Sequence, residues 1–363
     1  MTPAAVWALA TLLAAPISAA TDVHIKVGAG QSADTRLPLG MPPFIAGNSA
    51  KPQEALLARQ IQEVVRGDLL LSRYFSLIED GPHFGGSAAA ILDGWKLKAA
   101  GWLLTAKVSE SAGQLTISAQ LIDVSSGETS LDRYYRQDQK YMRAIAHRIS
   151  DDLVQQLTGK KGIARSQIAF SNAKSGRKEI YLMDYDGANL RQITRHGSIS
   201  ILPRFSPDKK LVAYTTYKDG NPDLFLYDLE KGASRPLSQE QGLNVAGGFS
   251  PDGSQLLMTL LRQKSPNLYM KSLSDGSATQ LTQHFGADSS PTFSPDSQQV
   301  AFVSDRSGNP QIYVLDLTTR RAKRLTNLND FLRKKVRLGL TKEVWFKGYD
   351  GTDIQGFLAT PPD

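Results

Sequence analysis

Residues 205–229 read FSPDKKLVAYTTYKDGNPDLFLYDL. The tetrapeptide that opens them returns as Phe249-Ser250-Pro251-Asp252 and as Phe293-Ser294-Pro295-Asp296, at an interval of 44 residues both times. Other positions keep the same step. Tyr181, Phe225, Tyr269 and Tyr313 are 44 apart, and so are Thr194, Ser238, Thr282 and Thr326. Apolar runs starting at Ile168, Val212, Leu256 and Val300 keep it too. Within a unit, short β-rich runs alternate with Gly, Pro, Asn and Asp turns, and no helical period shows. A repeat of about 40–45 residues with several strands is the mark of a propeller blade. A single blade cannot cover both of its faces, so neighbouring blades must do it.

In this reading the tetrapeptide is structural. Phe205, Phe249 and Phe293 end a strand and anchor between blades. Pro207, Pro251 and Pro295 preset φ for a tight turn, and Asp208, Asp252 and Asp296 bond to nearby backbone. None of these residues is expected to be catalytic. Each unit reads as strand (VAYTTY), turn (KDGNP), strand (DLFLYDL), turn (EKG) and strand (SRPLS), then a connection to the next unit. One interval before Phe205 stands Lys161, and one after Phe293 stands Arg337, with no FSPD around either. About four units are therefore legible over residues 163–326, an apparently incomplete propeller of WD40-like blades. Its edge strands should be exposed and prone to association.

Upstream the texture differs. Residues 52–75 carry Leu57, Ile61, Val64, Val65 and Leu69 at helical spacing. Residues 103–124 read as a strand pair, since Leu115, Ile117, Ala119 and Leu121 alternate with polar neighbours. SLDRYYR is a further strand, and Tyr141, Ile145, Ile149, Leu153 and Leu157 stripe a second helix that Gly159 should stop. Residues 21–160 are thus expected to form an α+β N-terminal domain ahead of the all-β propeller. Residues 1–20, MTPAAVWALATLLAAPISAA, have an apolar run and then Ser18-Ala19-Ala20, small residues at the −3 and −1 positions of a cut after Ala20. This is the pattern of a cleaved signal peptide. No later segment is long and apolar enough to span a bilayer, so the mature chain is expected outside the cytoplasm without a transmembrane span.

Several chemistries can be set aside. The chain has 363 residues and no cysteine, which removes disulfides, thiolate metal sites and cysteine nucleophiles. The net charge of +7 is spread along the chain without aromatics interleaved on one face, so nucleic acid is not expected. Gly28 to Ala33, GAGQSA, matches the dinucleotide fingerprint, but Pro38, Pro42 and Pro43 follow where a helix must start. No cofactor is expected there. Asp184 to Asn189, DYDGAN, offers oxygen ligands, but Gly187 is misplaced for an EF-hand loop, and a hairpin turn reads better than calcium. Histidines stand at 24, 83, 147, 196 and 284, with no i, i+4 pair, so no zinc motif and no metal site is expected. No G-x-S-x-G pentapeptide is present, and no catalytic set is expected. Residues 320–337 hold eight basic residues and one acid, Asp330. Such a run is either a solvated face or a contact for acidic partners or lipid headgroups.

The signal pattern, the α+β domain, LVQQLTGKKGIARSQIAF at residues 153–170, IYLMDYDGANLRQIT at residues 180–194 and the FSPD blades together resemble the TolB family. That family comprises periplasmic propeller proteins of the Tol–Pal cell-envelope system. The resemblance spans about residues 1–326. It implies a binding role without catalysis: a scaffold that contacts the Pal lipoprotein and TolA and supports outer-membrane integrity and constriction during cell division. It also implies that the segment after the signal, here Asp22, Val23, His24, Ile25, Lys26 and Val27, contacts TolA. An alternating strand of this kind can add to a partner's sheet edge, or can dock on its own domain. The family propeller has six blades. Residues 327–363 depart from it. Their EVWFKGYDGTDIQGFLATPPD instead resembles the entry to the hydrolase domain of prolyl-oligopeptidase-type peptidases. An alternative identity is therefore the exported propeller portion of such a serine peptidase, as a fragment or a fusion and without its catalytic residues. A weaker reading is a small-molecule or glycan binder that uses the propeller channel.

Overall fold

In a computed structural model the described residues are 36–82, 87–262, 264–328 and 341–360. The segments 1–20 and Asp22–Val27, the GAGQSA stretch, His24 and His83 lie outside them, as does much of the basic run.

The first part of the chain runs β1 (Leu37–Gly40), β2 (Ile45–Ala46), α1 (Pro52–Ser72), β3 (Phe75–Ile78), α2 (Ala88–Leu97), β4 (Trp102–Ser111), β5 (Gln114–Asp123), β6 (Thr129–Asp138) and α3 (Met142–Thr158). One sheet takes the order β3-β1-β4-β5-β6, with β2 alongside β4. β1 pairs in parallel with β3 and β4, while β4, β5 and β6 form an antiparallel meander. Period-2 alternation puts Leu104, Ala106, Val108, Leu115, Ile117, Ala119 and Leu121 on one face, fully or almost fully buried. Leu57, Ile61, Val65 and Leu69 of α1 and Ile145, Ile149 and Leu153 of α3 close over them. Each such side chain contributes about 1.5–3 kcal/mol when removed from water.

Pro52 stands in the first turn of α1, where its missing N–H costs nothing. α1 stops three residues before the sequence-based bound of 75, because Arg73 turns left-handed (φ 59°) and Phe75 must begin the parallel strand β3. α3 ends on Gly159, also left-handed at φ 69°, whose N–H donates to the Gln155 carbonyl. α2 has no counterpart in the sequence-based reading. Ser87 caps it by accepting from Ala90 N–H, and Trp95 covers the sheet face opposite α1 and α3, against Leu103, Ala100 and Val124.

Beyond α3 come β7 (Gln167–Asn172), β8 (Glu179–Asp184) and β9 (Arg191–Gln192), a three-stranded antiparallel sheet. Three four-stranded antiparallel sheets follow. The first is β10 (Ser200–Phe205), β11 (Leu211–Thr216), β12 (Asp223–Asp228) and β13 (Ala233–Ser238). The second is β14 (Asn244–Phe249), β15 (Gln255–Leu260), β16 (Asn267–Ser272) and β17 (Ala278–Gln280). The third is β18 (Asp288–Phe293), β19 (Gln299–Ser304), β20 (Gln311–Asp316) and β21 (Ala322–Arg324). The stretch that looks like a connection in the sequence is thus the first strand of each full blade. It hides because it carries Pro, Gly and Ser, and a bulge after Ile201, Ala246 or Ser289 interrupts its ladder. Among the described residues the first blade lacks this strand. The equivalent positions, 156–161, are spent on the end of α3 and its exit.

Apolar residues alternate between the two faces of each blade. Val212, Tyr214 and Phe225 pack with Ile180 and Leu182 of the preceding blade, while Ala213, Leu224 and Leu226 pack with Leu256, Met258 and Tyr269 of the next. Phe205, Phe249 and Phe293 each end a strand and lean on one of these inter-blade clusters.

The FSPD turns repeat atom for atom. Ser206, Ser250 and Ser294 donate Oγ–H to the Oδ1 of Asp208, Asp252 and Asp296 at 2.5 Å. Each Asp then accepts from the N–H two residues on. These bonds, the serine's first, hold all three carboxyls below their ordinary value, Asp252 at about 2. A lowered folded value means the turn is supported above the ordinary 3.8 and loses that support as pH falls toward about 2. Amide-exchange protection at Ser254 N–H, corrected for intrinsic rate, should therefore drop in that window. D252N should show no such drop.

The residue after each Asp is left-handed: Lys209 (φ 60°), Gly253 (φ 75°) and Ser297 (φ 60°). A Cβ on Gly253 would have room, its nearest neighbour being Pro207 Cδ at 3.6 Å. Only the dihedral then opposes a side chain. G253A should cost about 1 kcal/mol in a denaturant melt, and K209G should gain a few tenths or more.

Residues 341–360 form a separate antiparallel hairpin, β22 (Thr341–Lys347) and β23 (Asp353–Ala359). Its two strands begin 42 residues after β19 and β20 respectively. The strand rhythm therefore persists where the FSPD signature is gone. Trp345, Phe346, Tyr349 and Leu358 on it are exposed.

Candidate functional site

The seam between the N-terminal sheet domain and the first blade gathers several charged side chains. α3 supplies Arg143, His147 and Asp151, one turn apart and so on one face. α1 supplies Asp68 near its C-terminus. The end of β8 supplies Asp184, and the turn that joins it to β9 supplies Asp186. That turn is the DYDGAN hairpin, closed by Asp184 N–H to the Ala188 carbonyl with Gly187 at φ 86°.

Asp151 fixes the chain as it leaves α3. Its Oδ1 accepts from Ala164 N–H and its Oδ2 from Arg165 Nε, both at 2.7 Å. The exit packs so close that a Cβ on Gly162 would lie 2.4 Å from Asp151 Cα. Across the seam, Arg143 Nη2 meets Asp186 Oδ2 at 2.5 Å, and its Nε stands 3.9 Å from Asp184 Oδ2. Burial alone would raise the Asp186 carboxyl. Bonds from Arg143 and Ala188 N–H, with the nearby positive charge, outweigh it and hold the group below its ordinary value.

Deeper in, His147 Nδ1 lies 2.8 Å from Asp68 Oδ2, and both side chains are almost wholly buried. Two cavities flank them. One of about 140 Å³ is lined by Asp68, Tyr74, Asp151 and Tyr185. The other, about 440 Å³, is lined by Arg143, His147, Asn189 and Lys209. Ser150, the one serine of α3 at this seam, donates its hydroxyl to the Ala146 carbonyl of its own helix. It is not aimed at the histidine as a nucleophile must be. The arrangement joins two units and presents acceptors and one imidazole.

A second polar device recurs in the blades. Glu179, Asp223, Asn267 and Gln311 stand 44 apart, each at the start of its blade's central strand and each buried. Thr194 donates to Glu179 and Thr326 to Gln311, and the same hydroxyls accept from Ile180 and Ile312 N–H. The acceptors also hold the following loop. Gly197, His284 and Leu328 N–H donate to Glu179, Asn267 and Gln311.

The sequence-based site residues divide cleanly. Phe205, Pro207, Asp208 and their repeats lie in the blade turns, the first of which reaches the larger seam cavity through Lys209. Asp22 to Val27 lie outside the described residues. Sequence reasoning missed Asp68, His147 and Asp186 as a group because they come from three separate segments. The one available signal was DYDGAN, read as a turn.

Comparison with known proteins agrees with the fold. The model of the TolB amino-terminal domain matches residues 23–130, and that of the TolB beta propeller domain matches residues 154–337. A Tol-Pal system protein TolB of Geobacter sulfurreducens is 35% identical over 212 residues, which cover 55% of this chain and 48% of the relative. A protein TolB homolog of Chlorobium chlorochromatii is 33% identical over 198 residues, covering 53% and 44%. The chain spans about half the length of the curated relatives it matches. The crystal structure of TolB from Acinetobacter baumannii superposes with a TM-score of 0.72 over 90% of this chain and 77% of that one, at 24% identity, a likeness of fold. With most of the amino-terminal sheet domain under one model and the repeating blades under the other, the chain belongs to the TolB family.

Proposed function

We propose that this chain is an exported interaction scaffold of the Tol–Pal system, which works in the periplasm by binding the Pal lipoprotein and TolA and carries out no catalysis. The observation that carries the reading is the continuity of one architecture, from the amino-terminal sheet through the Asp151-pinned exit into the blades. In the periplasm such a scaffold would maintain outer-membrane integrity and support constriction at division. Asp22 to Val27 are the proposed TolA contact, an alternating strand suited to sheet addition. The propeller is the proposed Pal contact. Among the described residues no helix is long and apolar enough to cross a membrane.

The test is a pull-down of the chain with Pal and, separately, with a C-terminal domain of TolA. Deletion of residues 22–27 should abolish TolA capture and leave Pal capture intact. Capture of neither partner by the intact chain would sink the reading. A second reading, the propeller portion of an exported prolyl-oligopeptidase-type peptidase, draws on the β22–β23 hairpin alone. A reading frame that continues beyond Asp363 into a G-x-S-x-G segment would favour it.

A further inference from the structure

We infer that Asp68, His147 and Asp186 form a divalent transition-metal site that clamps the amino-terminal domain to the first blade. One donor atom from each residue lies within 4.8 Å of the others. Three elements contribute: α1, α3 and the turn after β8. The site therefore spans the seam and lies within neither unit alone.

Two further observations point to a ligand. His147 Nε2 and Asp68 Oδ1 are buried and have no hydrogen-bond partner among the described residues. His147 is 4% exposed and Asp68 is 2% exposed. A buried imidazole nitrogen or carboxylate oxygen left bare is costly, so native structures seldom leave such atoms unmet. Something must meet them.

The donor set selects the class. One imidazole with two carboxylates suits zinc and its first-row neighbours, whereas calcium and magnesium prefer oxygen alone. At tetrahedral angles, metal–donor bonds near 2.1 Å place two ligands of one ion about 3.4 Å apart. A pair at the 4.8 Å limit would therefore close by about 1.4 Å on binding, within the reach of side-chain rotation. Charge also balances. Two carboxylates take up the two positive charges, while Arg143 stays on Asp186 Oδ2 with Asp184 3.9 Å from its Nε. The 440 Å³ cavity beside His147 gives an ion a way in. This inference is independent of the Tol–Pal reading.

The test is calorimetric titration of zinc into the full chain, made without a histidine tag. We expect one site per chain and a rise in melting temperature that chelation reverses. H147Q and D186N should each weaken binding at least about tenfold. The wild-type protein gives a readout that survives if a variant fails to fold. In ¹⁵N-histidine-labelled chain, zinc should shift the ring nitrogens of His147. Absence of zinc binding overturns the proposal. So does binding that both variants retain, or a shift confined to His196 or His284.

Discussion

D288A should lose about 3–5 kcal/mol of stability in a denaturant melt, one of the two largest effects expected from a single substitution here. Asp288 opens the first strand of the fourth blade and is fully buried. Both of its oxygens accept from Arg306 Nη2, at 2.9 and 2.8 Å. Arg306 is held in turn by Ser304 Oγ at 2.8 Å and lies over the rings of Phe302 and Tyr313. Removing the carboxylate leaves a guanidinium in a desolvated site with half of its partners gone. R306A should cost a similar amount by the reverse route, a bare buried carboxylate. The double variant should cost clearly less than the two singles together, because each single already breaks the same pair. A loss under about 1 kcal/mol in either single would show that water reaches the pair and that its burial is not decisive.

W95A should cost about 3–5 kcal/mol by leaving a large cavity. Trp95 is fully buried between Leu103, Ala100 and Val124. Gly40 and Gly81 let the ring in: a Cβ at either would stand 2.6 Å or 2.4 Å from it. The site cannot collapse easily, since strands β1 and β4 form its floor and α2 its lid. G81A should reproduce part of the loss by pushing the ring outward. A W95A melt within about 1 kcal/mol of wild type would mean that α2 adds little to the sheet.

How much of this was legible follows from what each feature needs. The blades announce themselves because a fixed step of 44 residues repeats Phe, Pro and Asp wherever the same turn recurs. α1 and α3 are legible because their cores lie along one stripe. α2 is not. Its AAAILDGWKL holds three alanines and a glycine, so no stripe marks it, and its single anchor is Trp95. The first strand of each blade is masked by Pro203, Gly247, Gly248 and Pro291, residues that argue against a strand. They are tolerated here because that strand bulges and one of its edges is free of ladder partners. The seam was illegible for a different reason. Asp68, His147 and Asp186 meet only after α1 and α3 have packed and the first blade has docked, and no local spacing encodes that.

The buried acceptors at 179, 223, 267 and 311 have a consequence of their own. Four blades fill the same station with Glu, Asp, Asn and Gln. Averaging the blades would call the column random, yet all four residues are buried and all four can accept. In three blades that acceptor meets an N–H of the following loop, and in the second Asp223 instead accepts from the Asn221 and Gln239 side chains. The identity of the residue that supplies the acceptor is free to drift. A blade can therefore exchange a charged acceptor for a neutral one, so that the net charge of the propeller is adjustable from inside without redrawing a single strand.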